Sequence, residues 1–402
     1  MLTLDDALSR LLGAVAPLAD VENLSTFDAL GRVLRADVHS TLDVPPQDNT
    51  SMDGYALRAA DVPAVGALLP VSQRIPAGVV GQPLQAGTAA RIFTGAQVPP
   101  GADAIVMQEL CEAVGEAVRV NAVPTSGQWI RRRGEDVQAG SVVLAAGVRL
   151  TPQALGLAAT VGAATLPVTR RPRVALFSTG DELAMPGEPL KPGAIYNSNR
   201  YTLRALIQAC GCDCADLGIV PDKLDATRDA LRRAAQLSDL IVTSGGVSVG
   251  EEDHLRPAVQ AEGRVDLWQI AIKPGKPLAF GDVRRADGSS ALFIGLPGNP
   301  VSSFITFLLM VRPLLLRLQG ASQLEPNRTT LRADFDWPKP DGRREFLRAR
   351  RNAAGGLELF PNQSSGVMTS VVWGDGVIDN PSDHAIARGD GVAFISFAEW
   401  LA

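Results

Sequence analysis

Four short loops in the middle of the chain combine glycine with charged or hydroxyl side chains, and each follows a run of apolar residues. Consecutive glycines let backbone N–H groups approach an anion, and neighbouring carboxylates can hold a divalent cation that screens phosphate charge. Together the loops predict metal-assisted, phosphoryl-type chemistry on a nucleotide-like anionic ligand. The loops are Ser178-Thr-Gly-Asp-Glu-Leu183, Thr243-Ser-Gly-Gly-Val-Ser-Val-Gly-Glu-Glu-Asp253, Lys273-Pro-Gly-Lys-Pro277 and Gly295-Leu-Pro-Gly-Asn-Pro300.

The third loop contains two of the five lysines of a chain that has 33 arginines. An ammonium is a compact point charge and a guanidinium is a planar fork, so the two are not interchangeable in a tight site. We interpret Lys273 and Lys276 as lysines selected for their chemistry.

Two of the loops also have a purely structural interpretation. Asp181 and Glu182 suit the N-terminus of a helix, and residues 243–253 can form a tight turn from a strand into a helix with an acidic first turn. The glycine-rich segment matches neither the Walker A pattern nor GxGxxG. The phosphate interpretation therefore depends on the loops meeting at one place.

Other polar clusters carry weaker signals. Residues 48–56 form a polar loop that could be an Asx-rich turn. Cys210-Gly-Cys-Asp-Cys214 lacks the usual spacing of zinc ligands, so buried thiols are the simpler expectation. Two basic runs are expected to be solvated faces, with an oxyanion contact as the sharper alternative. They are Arg131-Arg-Arg-Gly-Glu-Asp136 and the arginines at 343, 344, 348, 350 and 351.

The elements that must position the four loops read as an α/β unit. Apolar strands alternate with amphipathic helices, which is typical of a parallel, doubly wound sheet whose ligands bind beyond the carboxyl ends of the strands. The predicted strands are 174–178, 214–220, 239–243, 267–272, 278–283 and 291–295, and the predicted helices are 200–209, 224–237 and 300–318.

The regions on either side differ in texture. Residues 3–16 and 152–163 read as helices, residues 25–150 as short strands separated by Gly and Pro, and residues 328–402 as a small all-β module.

Composition narrows the class of protein. The chain has 402 residues, 46% of them apolar, and a net charge of −5, which disfavours a general nucleic-acid binder. The most apolar stretch, 304–318, contains Arg312 and Pro313 and is too short to span a membrane. The N-terminus has no signal-peptide pattern and the four cysteines form no disulfide framework, so we expect a cytoplasmic protein.

The motifs taken in order resemble the MoeA / gephyrin E-domain family, the molybdopterin molybdenumtransferases, over essentially the full length. They are DNTSMDGYA, IFTGAQVPPGADAIV, RRRGEDV, FSTGDEL, the NSN at 197–199, TSGGVSVGEED, KPGKPLAFG and GLPGNPVSS. The family's DNSAMDGYA appears here as DNTSMDGYA, which keeps Asp48, Asn49 and Asp53.

The resemblance implies a multidomain α/β plus β fold in an elongated homodimer. The expected domains are a helical domain I (1–24 with 140–170), a β-rich domain II (25–139), a doubly wound, molybdopterin-binding α/β domain III (171–321) and a C-terminal β-barrel domain IV (326–402).

It also implies a reaction. Adenylylated molybdopterin and molybdate are the substrates, the adenylate is cleaved with a divalent cation such as Mg²⁺, AMP leaves, and molybdenum passes to the dithiolene. A molybdopterin adenylyltransferase is the expected substrate donor, and no nucleic acid or membrane is expected as a partner.

Residue roles carry over by motif. Asp253, Asp222 and Glu182 are expected to handle the metal and the pyrophosphate, and Lys273 and Lys276 to neutralise phosphate or molybdate. Asp53, Thr94 and Asp136 are expected to reach the cleft from the partner subunit. The remaining expected substrate contacts are Ser244, Gly245, Gly246, Ser248, Pro277, Pro297, Pro300, Arg348 and Ser365.

Two alternatives stay open. The related adenylyltransferase uses the same α/β domain but normally lacks the flanking regions, and a gephyrin-like scaffold would bind peptides without chemistry. The flanking domains disfavour the first, and retention of Asp222, Asp253, Lys273 and Lys276 disfavours the second. Molybdenum insertion is the favoured function.

Overall fold

A computed structural model describes residues 1–246 and 254–401. Its centre is a six-stranded sheet. The strands are β1 (Arg173–Thr179), β2 (Asp213–Val220), β3 (Leu240–Ser244), β4 (Gly263–Gln269), β5 (Pro277–Arg284) and β6 (Ser290–Leu296), in the order β2-β1-β3-β6-β5-β4. The helices of this unit are α1 (Ser198–Ala209), α2 (Leu224–Leu237), α3 (Leu255–Glu262) and α4 (Pro300–Gln319).

Both faces of the sheet are covered, because alternate residues of its apolar strands point to opposite sides. Val174 and Leu176 of β1 join one core cluster, which includes α1 and α4. Ala175 and Phe177 join a second cluster with α2 and α3. The predicted doubly wound α/β unit is confirmed.

The sheet is not parallel throughout. Strands β2, β1, β3 and β6 run parallel, whereas β5 pairs antiparallel with β6 and β4 antiparallel with β5. The expectation of a parallel sheet therefore holds for the pairings among four strands and is wrong for the two pairings of β5, the one strand of this sheet that runs in the opposite direction. A short turn joins β5 to β6, and such a turn can connect only antiparallel neighbours.

Helix α4 is as long and apolar as a membrane-spanning helix, with a mean hydropathy of 1.7 over its best window, but 94% of that window is buried inside the protein. It packs in the main core cluster with the N-terminal helix Leu4–Gly13. That burial is typical of a core helix.

Residues 1–50 and 130–169 form helices and two-stranded pairs. Thr3 caps Leu4–Gly13 by accepting a hydrogen bond from the N–H of Asp6, as predicted. Residues 29–44 and 137–168 share a hydrophobic cluster. The remaining elements are helix Pro152–Thr160 and the pairs Val21–Ser25 with Thr165–Thr169, Val38–His39 with Val142–Leu144, and Asn49–Thr50 with Ile130–Arg131.

The predicted β-rich region contains its own six-stranded sheet with two small cores. In spatial order its strands are Ala104–Met107, Gly54–Leu57, Ala89–Ile92, Ala67–Ile75, Ala117–Val120 and Cys111–Val114.

The C-terminal module is a sheet that closes on itself. A bridge between Ala333 and Leu357 joins its first strand to Leu357–Leu359, which pairs with Arg344–Arg351. The other strands are Thr329–Arg332, Gly376–Asn380 and Gly391–Ser396, with helices Thr369–Trp373 and Phe397–Leu401.

One strand of that sheet comes from the α/β unit. Residues 267–272 are predicted as one strand, but β4 ends at Gln269 and Ile272–Lys273 pairs in parallel with Arg344 and Glu345 of the C-terminal sheet. The pairing fixes the loop that follows β4 against the C-terminal module.

Candidate ligand-binding site at the strand ends

A cavity of about 450 Å³ lies at the carboxyl ends of β1, β3 and β6, which we call the strand-end cavity. Loops after parallel strands meet at one edge of a sheet, which explains why motifs far apart in sequence converge here. The cavity is lined by Thr179, Glu182, Leu183, Ile195, Asn197, Asn199, Ser244, Gly245, Gly246, Pro277, Pro297, Gly298 and Asn299.

The Gly245-Gly246 turn brings the loop after β3 back across the end of β1. Their φ angles are +87° and +67°, in the left-handed region that favours glycine. A Cβ on Gly245 would lie 3.1 Å from the carbonyl oxygen of Thr179. Glycine is therefore required for this turn, and its backbone lines the cavity.

Ser244 lies at the base of the cavity and is only 3% exposed. Its hydroxyl lies 3.2 Å from that of Ser178 on the neighbouring strand. One of the two hydroxyls donates to the other, and Ser244 forms part of the floor of the cavity.

Two acidic loops meet beside the cavity. Glu182 lines it, with its carboxylate folded over Gly180. Asp222, after β2, donates its backbone N–H to Asp181 Oδ1 at 3.1 Å. The loops after β1 and β2 are thereby joined, although Asp222 is not among the described residues that line the cavity.

Asn197 and Asn199 are cavity residues that the sequence analysis did not assign to the site. Asn197 caps α1 by accepting from the N–H of Arg200 at 3.1 Å, and its Nδ2 is buried without a partner among the described residues. Asn199 Nδ2 donates to the carbonyl oxygen of Gly298 at 2.7 Å. An Asn directly before an amphipathic run is an N-cap signal that points to this position.

Two expected site residues, Ser248 and Asp253, lie outside the described residues. Pro277 and Pro297 line the cavity, and Pro300 is the first residue of α4. The N–H of Val301 donates to the carbonyl oxygen of Ser365 at 2.9 Å. This bond places Ser365 of the C-terminal module beside the start of α4.

The two lysines of the third loop have different surroundings. Lys273 Nζ lies 3.3 Å from Glu345 Oε1 and 3.3 Å from Asp341 Oδ2, both in the C-terminal module. Lys276 is exposed and, within the described part of the chain, forms no ion pair; it directly precedes the cavity residue Pro277. Lys276 is therefore the lysine whose charge is available to a ligand.

Arg348 is the one buried arginine of the C-terminal cluster at 343–351, with 1% exposure. It donates to Ser370 Oγ at 3.2 Å and to the carbonyl oxygens of Phe346 and Ser364 at 3.1 and 3.3 Å. No carboxylate among residues 1–246 and 254–401 pairs with it, and burial lowers its pKa to about 10. A buried cation bonded only to neutral groups is suited to an anion.

Asp53, Thr94 and Asp136 belong to another part of the chain. Asp53 Oδ1 accepts hydrogen bonds from the backbone N–H and the hydroxyl of Thr94, both at 2.7 Å, and these bonds lower the pKa of Asp53. Asp136 is exposed. None of the three is among the described residues that line the strand-end cavity of the same chain.

The described residues contain no group of three His, Cys, Asp or Glu side chains that could hold a metal ion. All four cysteines are free thiols, and Cys210 and Cys212 are buried, as expected. Burial raises the pKa of Cys210 to about 11, so this thiol is protonated at neutral pH.

The cavity is polar and lies at the carboxyl ends of parallel strands, and β modules precede and follow the α/β unit in the chain. These features are typical of a multidomain α/β protein that binds a ligand at the sheet edge. Comparison with protein-family models gives the class of ligand for the central unit. Residues 175–317 match the "probable molybdopterin binding domain", residues 2–162 the MoeA N-terminal region (domains I and II), and residues 330–397 the MoeA C-terminal region (domain IV).

The chain belongs to the MoeA family. The molybdopterin molybdenumtransferase of Haemophilus influenzae is 40% identical over 350 residues, which cover 87% of this chain and 85% of the relative. Molybdopterin molybdenumtransferase 2 of Mycobacterium tuberculosis is 39% identical over 88% of this chain and 89% of the relative. The crystal structure of the molybdopterin biosynthesis MoeA protein from Pyrococcus horikoshii OT3 superposes with a TM-score of 0.85 at 28% identity, covering 98% of this chain and 100% of that one.

Proposed function

We propose that this protein is a molybdenum insertase of molybdenum cofactor biosynthesis. It takes adenylylated molybdopterin and molybdate, cleaves the adenylate so that AMP leaves, and transfers molybdenum to the dithiolene. The observation that carries the proposal is the strand-end cavity, which lies within the segment that matches a molybdopterin-binding domain.

The cavity residues have roles that follow from their chemistry. The backbone at Gly245 and Gly246 offers a close approach to phosphate, as a Cβ would not. Asn197 Nδ2 is a buried donor without a partner in the described chain and is suited to a polar atom of the ligand. Pro277 and Pro297 form rigid walls, and Ser248 of the glycine-rich loop is assigned to the same cradle.

A divalent cation, Mg²⁺ in this proposal, would supply neutralisation of phosphate charge when bound. Carboxylate oxygens are the ligands that this ion prefers, and Glu182 presents one at the cavity. Asp222 lies at the same edge of the sheet through its bond to Asp181. Asp253 is assigned as the third ligand, and the cation site depends on it.

Molybdate would bind where the α/β unit meets the C-terminal module. Arg348 is a buried cation without a carboxylate partner in the described chain, and it contacts the segment whose Ser365 touches the start of α4. Lys276 directly precedes Pro277 of the cavity wall. Lys273 forms an ion pair with Glu345 where the α/β unit meets the C-terminal module, a contact that we call the seam. A guanidinium held by fixed neutral acceptors recognises an oxyanion without rearranging.

The wider assignments are proposals of the same kind. In a homodimer, Asp53, Thr94 and Asp136 would complete the cleft of the partner subunit. A molybdopterin adenylyltransferase would supply the substrate in the cytoplasm. The chain would divide into domains I (1–24 with 140–170), II (25–139), III (171–321) and IV (326–402).

The test is AMP release from purified full-length protein given adenylylated molybdopterin and Mg²⁺, with and without molybdate. We expect molybdate-dependent AMP release that Asp253→Asn and Asp222→Asn each abolish. Asp229→Asn is the matched control, since Asp229 is an exposed acid on α2 that pairs with Arg232, and it should release AMP at the wild-type rate.

Each alternative outcome names a different function. ATP consumption with non-adenylylated molybdopterin would make the protein an adenylyltransferase. A folded protein that binds the adenylate and releases no AMP at any molybdate concentration would contradict insertion and favour a scaffold.

A further inference from the structure

A second cavity, of about 290 Å³, lies apart from the strand-end cavity and shares no lining residue with it. Arg312 of α4 lines it, and this residue is about 18 Å along the helix axis from Pro300, at a rise of about 1.5 Å per residue. Four segments meet here: residues 147–151, α4, residues 321–327 and the C-terminal helix Phe397–Leu401. We call it the junction cavity.

Arg312 is 6% exposed, and its hydrogen-bond acceptors in the described chain are uncharged. Nε donates to the carbonyl oxygen of Trp400, Nη1 donates to that of Leu324 at 3.0 Å, and the guanidinium lies 5.8 Å from the Trp400 ring centroid. Nη2 donates to no acceptor within the described part of the chain. A buried guanidinium thus keeps hydrogen-bonding capacity beside an open space.

The carboxylates around the junction cavity are engaged elsewhere. Glu325 pairs with Arg328 at 3.1 Å, and Glu399 accepts from Asn327 at 3.2 Å. Neither forms an ion pair with Arg312. Burial is the main cause that lowers the pKa of Arg312; Arg149, which also lines the cavity, lowers it further, and Glu399 partly offsets the effect. Arg312 therefore forms no ion pair among residues 1–246 and 254–401, although Glu399 acts on its charge from across the cavity.

The other two buried arginines of the described chain can be compared with Arg312 for the presence of a carboxylate partner. Arg32, 7% exposed, has Glu22 at 2.6 Å. Arg348, 1% exposed, has no carboxylate partner in the described chain, and it is the residue assigned to molybdate above. Since a buried charge is costly unless it is paired, an arginine that lines a cavity and forms no ion pair is suited to an anion from solution.

We propose that the junction cavity binds a small inorganic oxyanion of the phosphate type through Arg312. Thr151, Gln323 and Asn327 line the same cavity with uncharged polar side chains. Gln323 Nε2 donates to Asn327 Oδ1 at 3.4 Å and Asn327 Nδ2 donates to Glu399, so the second N–H of each amide is the one that can donate to an oxygen of the ligand. A bound oxyanion bridges α4 to the connection that enters the C-terminal module, and so stabilises the junction of three parts of the chain. The proposal is independent of the insertase function.

The experiment is a titration of the full-length protein with inorganic phosphate at constant ionic strength, followed by the Tm and by calorimetry. We expect saturable binding, with a Tm higher by about 2 °C at ten times the dissociation constant. Malonate in a parallel titration distinguishes an oxyanion site from one that accepts any small dianion.

The decisive variant supplies the anion from the protein itself. Gln323→Glu is nearly isosteric and places a carboxylate in the lining of the junction cavity. It should raise the Tm without phosphate and abolish the phosphate response, while AMP release stays at the wild-type level. Gln85→Glu, at an exposed glutamine remote in sequence, is the control that should keep the full phosphate response.

Two results would overturn the proposal. One is a wild-type Tm that phosphate and malonate leave unchanged. The other is phosphate binding with equal affinity and stoichiometry in the wild-type protein and in Gln323→Glu, which would assign the binding to another surface.

Discussion

The strand-end cavity and the seam with the C-terminal module each contain a glutamate, but one is exposed and the other is buried and hydrogen-bonded. At the cavity, Glu182 lines an open space and the turn at Gly245 presents backbone. At the seam, Glu345 has no exposed surface and accepts hydrogen bonds from Lys273 at 3.3 Å and Trp337 at 2.8 Å. Some polar groups of the cavity, such as Asn197 Nδ2, are left for a ligand, whereas Lys273 and Glu345 of the seam are used by the protein.

One loop, residues 273–277, connects the two regions. Lys273 belongs to the seam, Pro277 to the cavity wall, and Lys276 lies exposed between them. Two lysines of one short motif therefore have different roles. The pairing of Ile272–Lys273 with the C-terminal sheet fixes the loop, so movement of the seam would move the cavity wall.

The largest effect is expected where the loop is tightest. Gly275 has a φ of +112°, and a Cβ there would lie 2.3 Å from Thr306 Oγ1. Gly275→Ala should lower the free energy of unfolding by about 3 kcal/mol, from backbone strain and steric overlap together. Chemical denaturation measures it.

Gly288→Ala separates the two causes of that loss. Gly288 has a φ of +86°, and no atom lies within 4 Å of the position that a Cβ would occupy, so its substitution reports backbone strain alone. Equal losses in the two variants would show that the loop has room to relax, and the rigid coupling of cavity and seam would be refuted.

The next prediction separates the two lysines. Lys276→Ala should weaken binding of the adenylate roughly 10- to 100-fold, the value of a charge-assisted hydrogen bond, and leave the Tm unchanged. Lys273→Ala should leave adenylate binding unchanged. It should lower the free energy of unfolding by about 1–2 kcal/mol, because the buried Glu345 loses its cation. Calorimetric titration and thermal unfolding of both variants measure this, and matching losses of affinity would contradict the distinction.

Much of the fold can be predicted from sequence because it depends on local pattern. Continuous apolar runs indicate the buried strands, and the helix predicted at 300–318 occupies Pro300–Gln319. The reversed direction of β5 cannot be predicted in this way, because a buried strand has the same pattern in either direction. Nor can the place of Ile272–Lys273 in another sheet, because its partners lie 72 residues away.

The site also has features that can be predicted from the sequence and features that cannot. Loops that follow strands can be placed at one edge of the sheet, and Glu182, Gly245 and Pro297 do line one cavity. The ion pair of Lys273 with Glu345 depends on how two modules meet, which no local pattern contains. Val38 packs in a cluster with Leu144, which favours a start of domain II after residue 44, although the division into domains stays a prediction.

A smaller effect tests whether the negative charge of the seam opposes the binding of molybdate. Asp341 lies 3.3 Å from Lys273 Nζ, and its hydrogen bonds with Arg343 hold the pKa of Asp341 well below its usual range, so the carboxylate is charged at all working pH values. Asp341→Asn removes that charge and should tighten molybdate binding about threefold at low salt. Unchanged or weaker binding would mean that the charge of Asp341 does not act on the molybdate site.

The smallest effect concerns Asp53, a half-buried carboxylate that contrasts with the fully buried Glu345. Hydrogen bonds from Thr94 lower the pKa of Asp53, so they stabilise the fold above the unfolded pKa of about 3.9 and are lost as the pH falls through the folded pKa. Thr94→Val removes the hydroxyl but keeps the backbone N–H bond. We therefore expect a Tm slightly below that of the wild-type protein between pH 5 and pH 7, with a difference that narrows below about pH 4.

Thr88→Val is the control for that experiment, because the Thr88 hydroxyl donates to the carbonyl oxygen of Gln85 at 2.8 Å and that acceptor does not titrate. Its Tm difference from the wild-type protein should be constant over the same pH range. If Thr94→Val behaved in the same way, the hydroxyl bond to Asp53 would not contribute to the pH dependence of stability. Asp53 would then resemble the cavity carboxylates, which are left for a ligand, more than Glu345, which the fold itself uses.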